Sequence, residues 1–158
     1  MHNRDIGSQI QRLNGLIKNV SRACGEDTEL LAQWAKHICV LSAGLIENSV
    51  KAIYIDFAAK SVSKPIANFV AGHLSQIRNP KAQKFIQTAT SFRKEWGDDL
   101  QKFMDENGRG DAIDSIMAHR HLIAHGKENN STISFIQAKT YLEKSIEVIE
   151  FAEKLSLK

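Results

Sequence analysis

Apolar residues recur every three or four positions along most of this chain, which is the spacing of one face of an α-helix. The first such segment covers residues 6–20, and Cys24-Gly25 ends it. A long second helix is predicted to begin near Asp27, a residue type that caps helix N-termini. The apolar positions of this second helix form two neighbouring stripes, which predicts a central helix with contacts on several sides: Leu30, Trp34, Ile38, Leu41 and Leu45, then Val50, Ile53 and Phe57.

A third helix is predicted after Ser63, because Pro65 is tolerated in a first helical turn. The Asn79-Pro80 pair is typical of a turn and ends this segment. The predicted buried face of the third helix consists of Ile66, Phe69, Val70, Leu74 and Ile77.

The segment that follows the turn is predicted to be helical over residues 81–96, with Gly97 as its stop. Asp98 is expected to cap a short helical piece that ends at Asn107-Gly108. Neither element contains alternating β-branched residues, so no strand is predicted here.

Two further helices complete the chain. One begins at Gly110-Asp111 and ends at Gly126, a residue suited to the left-handed C-terminal cap. The last helix begins at Ser134, which forms a capping box with Gln137. The pattern therefore predicts an all-α bundle of five to six helices, and residues 1–158 are expected to form a single domain.

Composition narrows the class of protein only a little. The 158 residues are 42% hydrophobic and 25% charged, with two Pro and nine Gly, an ordinary balance for a helical globular domain. The formal charge of +3 is compatible with a polyanionic partner but does not by itself indicate nucleic acid. No signal-like segment and no apolar run of about 18 residues is evident, and two cysteines without metal-type spacing are expected to be reduced. A cytoplasmic protein without a membrane segment is the expectation.

The candidate chemistry lies on the helix of residues 111–125. Arg120 falls on the apolar arc defined by Ile113 and Met117, while His121 and His125 lie together on the adjoining edge. A permanent cation at a packing position requires a carboxylate partner, a cleft or a subunit boundary. An arginine that extends its head group into solvent, with histidines serving as ordinary polar groups, is the alternative.

Arginine and histidine in this arrangement suit cleavage of an RNA phosphodiester by its own 2′-hydroxyl. The C-terminal end of a helix favours positive charge, so His125 is placed to exchange protons. Arg120 offers a planar fork for a phosphate. Metal binding by His121 and His125 is a second possibility from their spacing, but the Glu of a metalloprotease helix and a third ligand are missing. No metal and no cofactor is expected.

These residues resemble the motif of the HEPN superfamily of helical ribonucleases: Arg, a polar residue, three more residues, and His. Arg120, His121 and His125 fill those places. Leu41-Ser42-Ala43 and Glu47 on the second helix, with Asn79-Pro80 midway, extend the resemblance over about residues 27–155. This layout is similar to the RiboL-PSP-HEPN branch.

The resemblance implies a metal-independent endoribonuclease that is a homodimer, with two motif helices facing each other across a composite site. Arg120 would contact the scissile phosphate, His125 would transfer the proton, and His121 would orient them or bind substrate. Glu47 would hold Arg120 or His125, unless it is an ordinary exposed acid.

Many proteins of this class are toxins or antiviral effectors. Some are modified on a Tyr two residues after the motif His, but Lys127 occupies that position here, so another antitoxin or regulator, or none, is implied. Lys127 is expected to bind RNA. The other clustered cations form either an RNA-guiding surface or a solvated face: Arg78, Lys81, Lys84, Arg93 and Lys94. The alternative functions are a catalytically inactive HEPN-like module that binds RNA, nucleotide or protein, and a purely structural bundle.

Overall fold

The computed structural model describes residues 1–157, and these residues form helices and no strand. The all-α architecture is therefore confirmed. The α-helices are α1 (Arg4–Cys24), α2 (Thr28–Ser61), α3 (Lys64–Leu74), α4 (Ala82–Phe92), α5 (Lys94–Asp105), α6 (Arg109–Ala124) and α7 (Phe135–Ser156). Short 3₁₀ turns at Glu106–Gly108 and Glu128–Asn130 precede and follow α6.

Helix α2 is the centre of the bundle, as its two apolar stripes predict. It packs against α1, α3, α6 and α7. An 18-residue window of α2 reaches a mean hydropathy of 1.4, so by length and composition this helix also meets the criteria of a membrane span, contrary to the sequence-based expectation. More than half of that window, 56%, is buried inside the bundle, which accounts for its apolar composition.

The prediction of one helix over residues 81–96 is wrong, because the helical conformation is interrupted at Arg93. This residue is extended, with φ −148° and ψ 131°, and α5 begins directly after it at Lys94. Helices α4 and α5 pack against each other on either side of this break, and the guanidinium of Arg93 lies 4.8 Å from the centre of the Trp96 ring. Gly97 does not stop a helix and Asp98 does not cap one, since both lie inside α5.

The predicted buried face of α3 is only partly correct. Leu74, at the end of α3, and Ile77 beyond it are buried, but Ile66 and Phe69 are 53% and 77% exposed. Helix α3 packs mainly against α2, and Ile66 and Phe69 lie on its exposed side, whereas Val70 is partly buried against the core. Leu30 and Leu41 of the α2 stripe are also exposed.

The predicted helix caps at Asp27, Ser134 and Gly126 agree with the structure, in contrast to the one predicted at Asp98. The Asp27 carboxylate accepts a hydrogen bond from the backbone N–H of Leu30, and Ser134 and Gln137 form the reciprocal capping box. Gly126 has φ +68°. Residues 2 and 3 are held by hydrogen bonds that the hydrophobic pattern did not predict. The Glu153 carboxylate accepts hydrogen bonds from the backbone N–H groups of His2 and Asn3.

Candidate functional site

The motif helix α6 is fixed at both ends by backbone conformations that favour glycine. Gly108, before its first residue, has φ +65°. At the other end His125 is the C-cap, the N–H of Gly126 donates to the Ile123 carbonyl at 3.3 Å, and the N–H of Lys127 donates to the Leu122 carbonyl at 2.9 Å. This pair of bonds is the Schellman motif, and it defines where the helix ends beside His125.

Arg120 projects into an open groove of about 490 Å³ at the C-terminal half of α6. The side chain is half-buried. The ion pairs formed among residues 1–157 do not include it. Of the surroundings expected for a cation at this position, the structure has a cleft and, among residues 1–157, no carboxylate partner. The groove is lined by Asn79, Lys81, Met117, Ala118, Arg120, His121 and Leu122.

The two motif histidines are in contact. The ring centroids of His121 and His125 are 4.3 Å apart, and the ring planes are inclined by 54°. Both residues are exposed, and His121 also lines the Arg120 groove. The structure thus brings Arg120, His121 and His125 to one surface. Lys127 is exposed just beyond them.

The backbone of α6 is anchored to α2 at the level of Arg120. The buried Cys39 thiol donates to the Ile116 carbonyl at 3.4 Å, one helical turn before Arg120. Burial raises the pKa of Cys39 to about 12, against a smaller opposing effect of the Arg120 backbone. The thiol therefore remains protonated at neutral pH and acts as a packing group.

The turn between α3 and α4, here called the clamped turn (residues 79–82), forms the second wall of the groove. Glu47 of α2 accepts a hydrogen bond from the Asn79 backbone N–H at 2.8 Å. Asp114 of α6 accepts one from the Ala82 backbone N–H, also at 2.8 Å. Asn79 has φ +46°, a conformation that asparagine tolerates better than most residues. Two carboxylates from different helices therefore hold both ends of the turn.

Sequence reasoning identified the Asn79-Pro80 turn but did not place it in the site. Asn79 and Lys81 line the groove together with Arg120. The contacts that bring the turn to α6 join residues 32 positions apart, as in the Asp114 to Ala82 bond. The sequence places Lys81 only in the general basic surface, because no local signal distinguishes it from the other cations of that group.

Glu47 forms no hydrogen bond or ion pair with Arg120 or His125. Its carboxylate bonds Lys51 at 2.8 Å as well as the Asn79 backbone, and Arg78 lies 3.9 Å away. Partial burial alone would raise the pKa of Glu47, but the Lys51 and Asn79 hydrogen bonds and the charges of Lys51 and Arg78 outweigh it, so the pKa is lowered. Glu47 remains ionised and supports the site through the clamped turn.

A third histidine on α6 points away from the groove. His119 Nδ1 lies 3.0 Å from the hydroxyl oxygen of Ser131, a buried residue in the connection to α7. Partial burial lowers the pKa of His119, which favours its neutral form. Among residues 1–157, no three His, Cys, Asp or Glu side chains are grouped so as to hold a metal ion.

The structure is a helical bundle in which Arg120, His121 and His125 lie together at the C-terminal end of the sixth helix. The model of the RiboL-PSP-HEPN family matches residues 4–157, and the chain belongs to this family. Neither the search of curated proteins nor the search of solved structures found a match. Membership of this family indicates an RNase-like or RNA-binding module.

Proposed function

We propose that this chain is a metal-independent endoribonuclease whose composite site is shared by two copies of the chain. The observation that supports this most is the state of Arg120. This half-buried residue forms no ion pair among residues 1–157 and lines a groove together with His121. A permanent cation kept without a protein partner at a groove is a ready site for a phosphate.

The reaction needs proton transfers and charge stabilisation, and the motif residues supply both. A neutral imidazole, assigned to His125, accepts the proton of the 2′-hydroxyl. The 2′-oxygen then bonds to the adjacent phosphorus, and the bond from phosphorus to the 5′-oxygen breaks. A protonated imidazole donates its proton to the departing 5′-oxygen, while Arg120 stabilises the negative charge on the phosphate oxygens. The products are a 2′,3′-cyclic phosphate and a 5′-hydroxyl.

A second copy of the chain gives this site its second set of groups. The motif helix is accessible along the groove, where Ala118 is exposed and Leu122, one turn later, is half-buried. A small residue followed one turn later by an apolar one permits close approach of another helix. In a two-fold dimer through α6, the histidines of both copies then face one groove, which supplies the base and the acid together.

The decisive test is cleavage of single-stranded RNA by the purified full chain in excess chelator. We expect cleavage with cyclic phosphate ends by the wild type and none by the His125→Ala variant. Cleavage that requires an added metal ion would contradict the mechanism. Binding without cleavage would favour the alternative of a catalytically inactive HEPN-like module that binds RNA, nucleotide or protein.

Sharing of the site is tested by mixing subunits. The Arg120→Ala and His125→Ala chains are each expected to be inactive. If the site is composite, refolding the two chains together yields mixed dimers that hold one Arg120 and one His125 in the shared groove. We expect these to cleave faster than either variant alone but more slowly than the wild type, because one of the two His125 rings is missing. Sedimentation analysis of the wild type is expected to give a dimer. A chain that cleaves RNA as a monomer would contradict the shared site and leave the chemistry intact.

The physiological role that we propose is that of a cytoplasmic toxin or antiviral defence effector acting on cellular RNA. Lys127 stands where some relatives are modified on tyrosine, so we expect control by another antitoxin or regulator. Expression of the wild type in a bacterial host, beside the His125→Ala variant, tests this role. Growth arrest with RNA degradation is expected from the wild type alone.

A further inference from the structure

We propose that the groove between α1 and α7 is a second RNA-binding surface, which holds the phosphate backbone of a single strand away from the cleavage site. The groove has a volume of about 790 Å³. Its lining consists of Asn14, Ile17, Lys18, Ser21, Arg22, Lys139, Glu143 and Ile146. This proposal takes RNA as the ligand from the proposed function, and it assigns a binding site that the HEPN motif does not include.

The charge distribution of the chain points to this groove. Helix α1 contains four of the 21 Lys and Arg residues and one of the 18 Asp and Glu residues. The remaining residues therefore hold 17 of each, and α1 accounts for the whole formal charge of +3. An excess of positive charge that is confined to one helix produces a local positive field. The same net charge spread over the whole chain would not.

Of the three cations that line the groove, Lys18, Arg22 and Lys139, Lys139 alone has an acid within ion-pair distance among residues 1–157. Lys18 and Arg22 are exposed and belong to none of the ion pairs formed among residues 1–157. Lys139, on the opposite wall, lies 3.9 Å from Glu143, and about half of each of these two side chains is exposed. An exposed pair at that distance contributes little, so Lys139 is also available to a ligand.

The spacing of the groups suits a nucleic acid strand. Lys18 and Arg22 are one helical turn apart, which places their Cβ atoms about 6 Å from each other and lets them contact successive phosphates. Asn14 and Ser21 add an amide and a hydroxyl on the same wall, and Ile17 and Ile146 provide an apolar floor. Cations, amides and hydroxyls are the groups that contact phosphates and sugars in protein complexes of nucleic acids.

The test is a binding measurement with a fluorescent single-stranded RNA of 20 nucleotides, made on full chains with the His125→Ala background to prevent cleavage. Lys18→Ala/Arg22→Ala is compared with Arg4→Ala/Arg12→Ala, which removes the same charge from the same helix outside the groove. We expect the groove variant to bind about tenfold more weakly and to lose about 1.4 from the slope of log K against log salt. The matched control is expected to lose much less.

Two further variants examine the walls of the groove. Lys139→Ala is expected to weaken RNA binding from the α7 side, and Glu143→Gln to strengthen it by removing the acid of the groove. Lys18→Arg/Arg22→Lys keeps both charges and is expected to bind as the background does. Equal losses in the groove variant and its matched control would overturn the proposal, because the effect would then be one of overall charge.

The outcomes separate this proposal from the ribonuclease proposal. If the wild type cleaves RNA but the groove variants bind with an unchanged salt slope, the groove proposal fails and the ribonuclease stands. If RNA binds through the groove but no cleavage occurs, the ribonuclease proposal fails and the groove stands. Poly-glutamate that binds through Lys18 and Arg22 more tightly than RNA would overturn the assignment to RNA and indicate an acidic protein partner.

Discussion

The imidazole rings of His121 and His125 lie with their centroids 4.3 Å apart at the C-terminal end of α6. Only His121 also lines the Arg120 groove, so the two rings have different surroundings despite their contact. This difference suits a division of labour in which His121 orients groups by hydrogen bonding and His125 transfers a proton.

Replacement of each histidine by asparagine tests that division. An amide replaces a hydrogen-bonding ring but cannot exchange protons, so His121→Asn is expected to keep most of the cleavage rate. His125→Asn is expected to lose about 10²- to 10⁴-fold, the usual contribution of a general acid or base. Single-turnover cleavage in chelator measures both. The reverse ranking would assign proton transfer to His121.

Arg120 and Arg109 lie on the same helix, but their replacement by alanine is expected to affect different properties. Loss of Arg109 should reduce stability, and loss of Arg120 should abolish cleavage. Arg109 lies over the Phe103 ring at 3.9 Å and pairs with Glu147 at 2.6 Å, whereas Arg120 forms no ion pair among residues 1–157. Arg109→Ala should lower the free energy of unfolding by about 1 to 2 kcal/mol. Arg120→Ala should change it by less than about 1 kcal/mol while abolishing cleavage.

Urea denaturation of both variants, followed by circular dichroism, measures these differences, and RNA cleavage is assayed in parallel. Arg120→Lys is a further control, because it keeps the charge but loses the planar fork, and we expect it to cleave poorly. Unfolding of the Arg120→Ala chain would show that this arginine has a structural role instead.

The clamped turn is expected to loosen when Glu47 is replaced. Glu47→Ala removes the acceptor of the Asn79 N–H, so hydrogen exchange at that amide should accelerate. A groove wall displaced by about 1 Å can slow cleavage by as much as about 100-fold. Glu47→Gln keeps an oxygen acceptor and should restore part of the rate. Lys51→Ala removes the ion pair alone, so exchange at Asn79 should stay slow; equal acceleration in that variant would contradict the clamp.

The sequence-based predictions are accurate where the structure depends on interactions between residues close together in the sequence. The caps at Asp27, Ser134 and Gly126 are set by bonds within a few residues, so the local pattern identified them. The juxtaposition of Arg120, His121 and His125 also follows from helical spacing alone. These features need no knowledge of how the helices pack.

The errors arise where packing between helices decides the structure. No proline or glycine marks the break at Arg93, which coincides with stacking of its guanidinium on Phe57 and Trp96. Likewise, the carboxylates that hold residues 79–82 beside Arg120 come from α2 and α6. Hydrophobic spacing gives no information on such contacts, so the second wall of the groove could not be predicted.

His119 is expected to make stability depend on pH. Burial lowers its pKa in the folded chain from the ordinary 6.5, so the unfolded chain binds more protons as the pH falls through that value. The contribution to stability is therefore complete above pH 6.5 and declines as the pH falls toward the lower pKa of the folded state. The difference in unfolding free energy between the wild type and His119→Gln, measured at pH 7.5 and 5.0, should shrink at the lower pH. A difference that grows on acidification would contradict the lowered pKa.

Gly97 is expected to be required for the packing of α5 against α4. A Cβ atom at this buried position would overlap the Thr90 hydroxyl and lie 2.9 Å from the Thr90 Cβ and 3.1 Å from its Cα, so backbone as well as side chain must move. We expect Gly97→Ala to lower the free energy of unfolding by about 2 to 3 kcal/mol, the range of an overpacked core.

Compensating variants at Thr90 test whether this overlap is the cause. Thr90→Ala in the Gly97→Ala chain removes the hydroxyl but keeps the Cβ contact, so it should restore only part of the lost stability. Thr90→Gly should restore more of the packing at some cost in helix propensity. Gly72→Ala, at an exposed helical position with open space around it, is the matched control and should be neutral or slightly stabilising. Equal stability of Gly97→Ala and Gly72→Ala would show that α4 and α5 are not in such close contact.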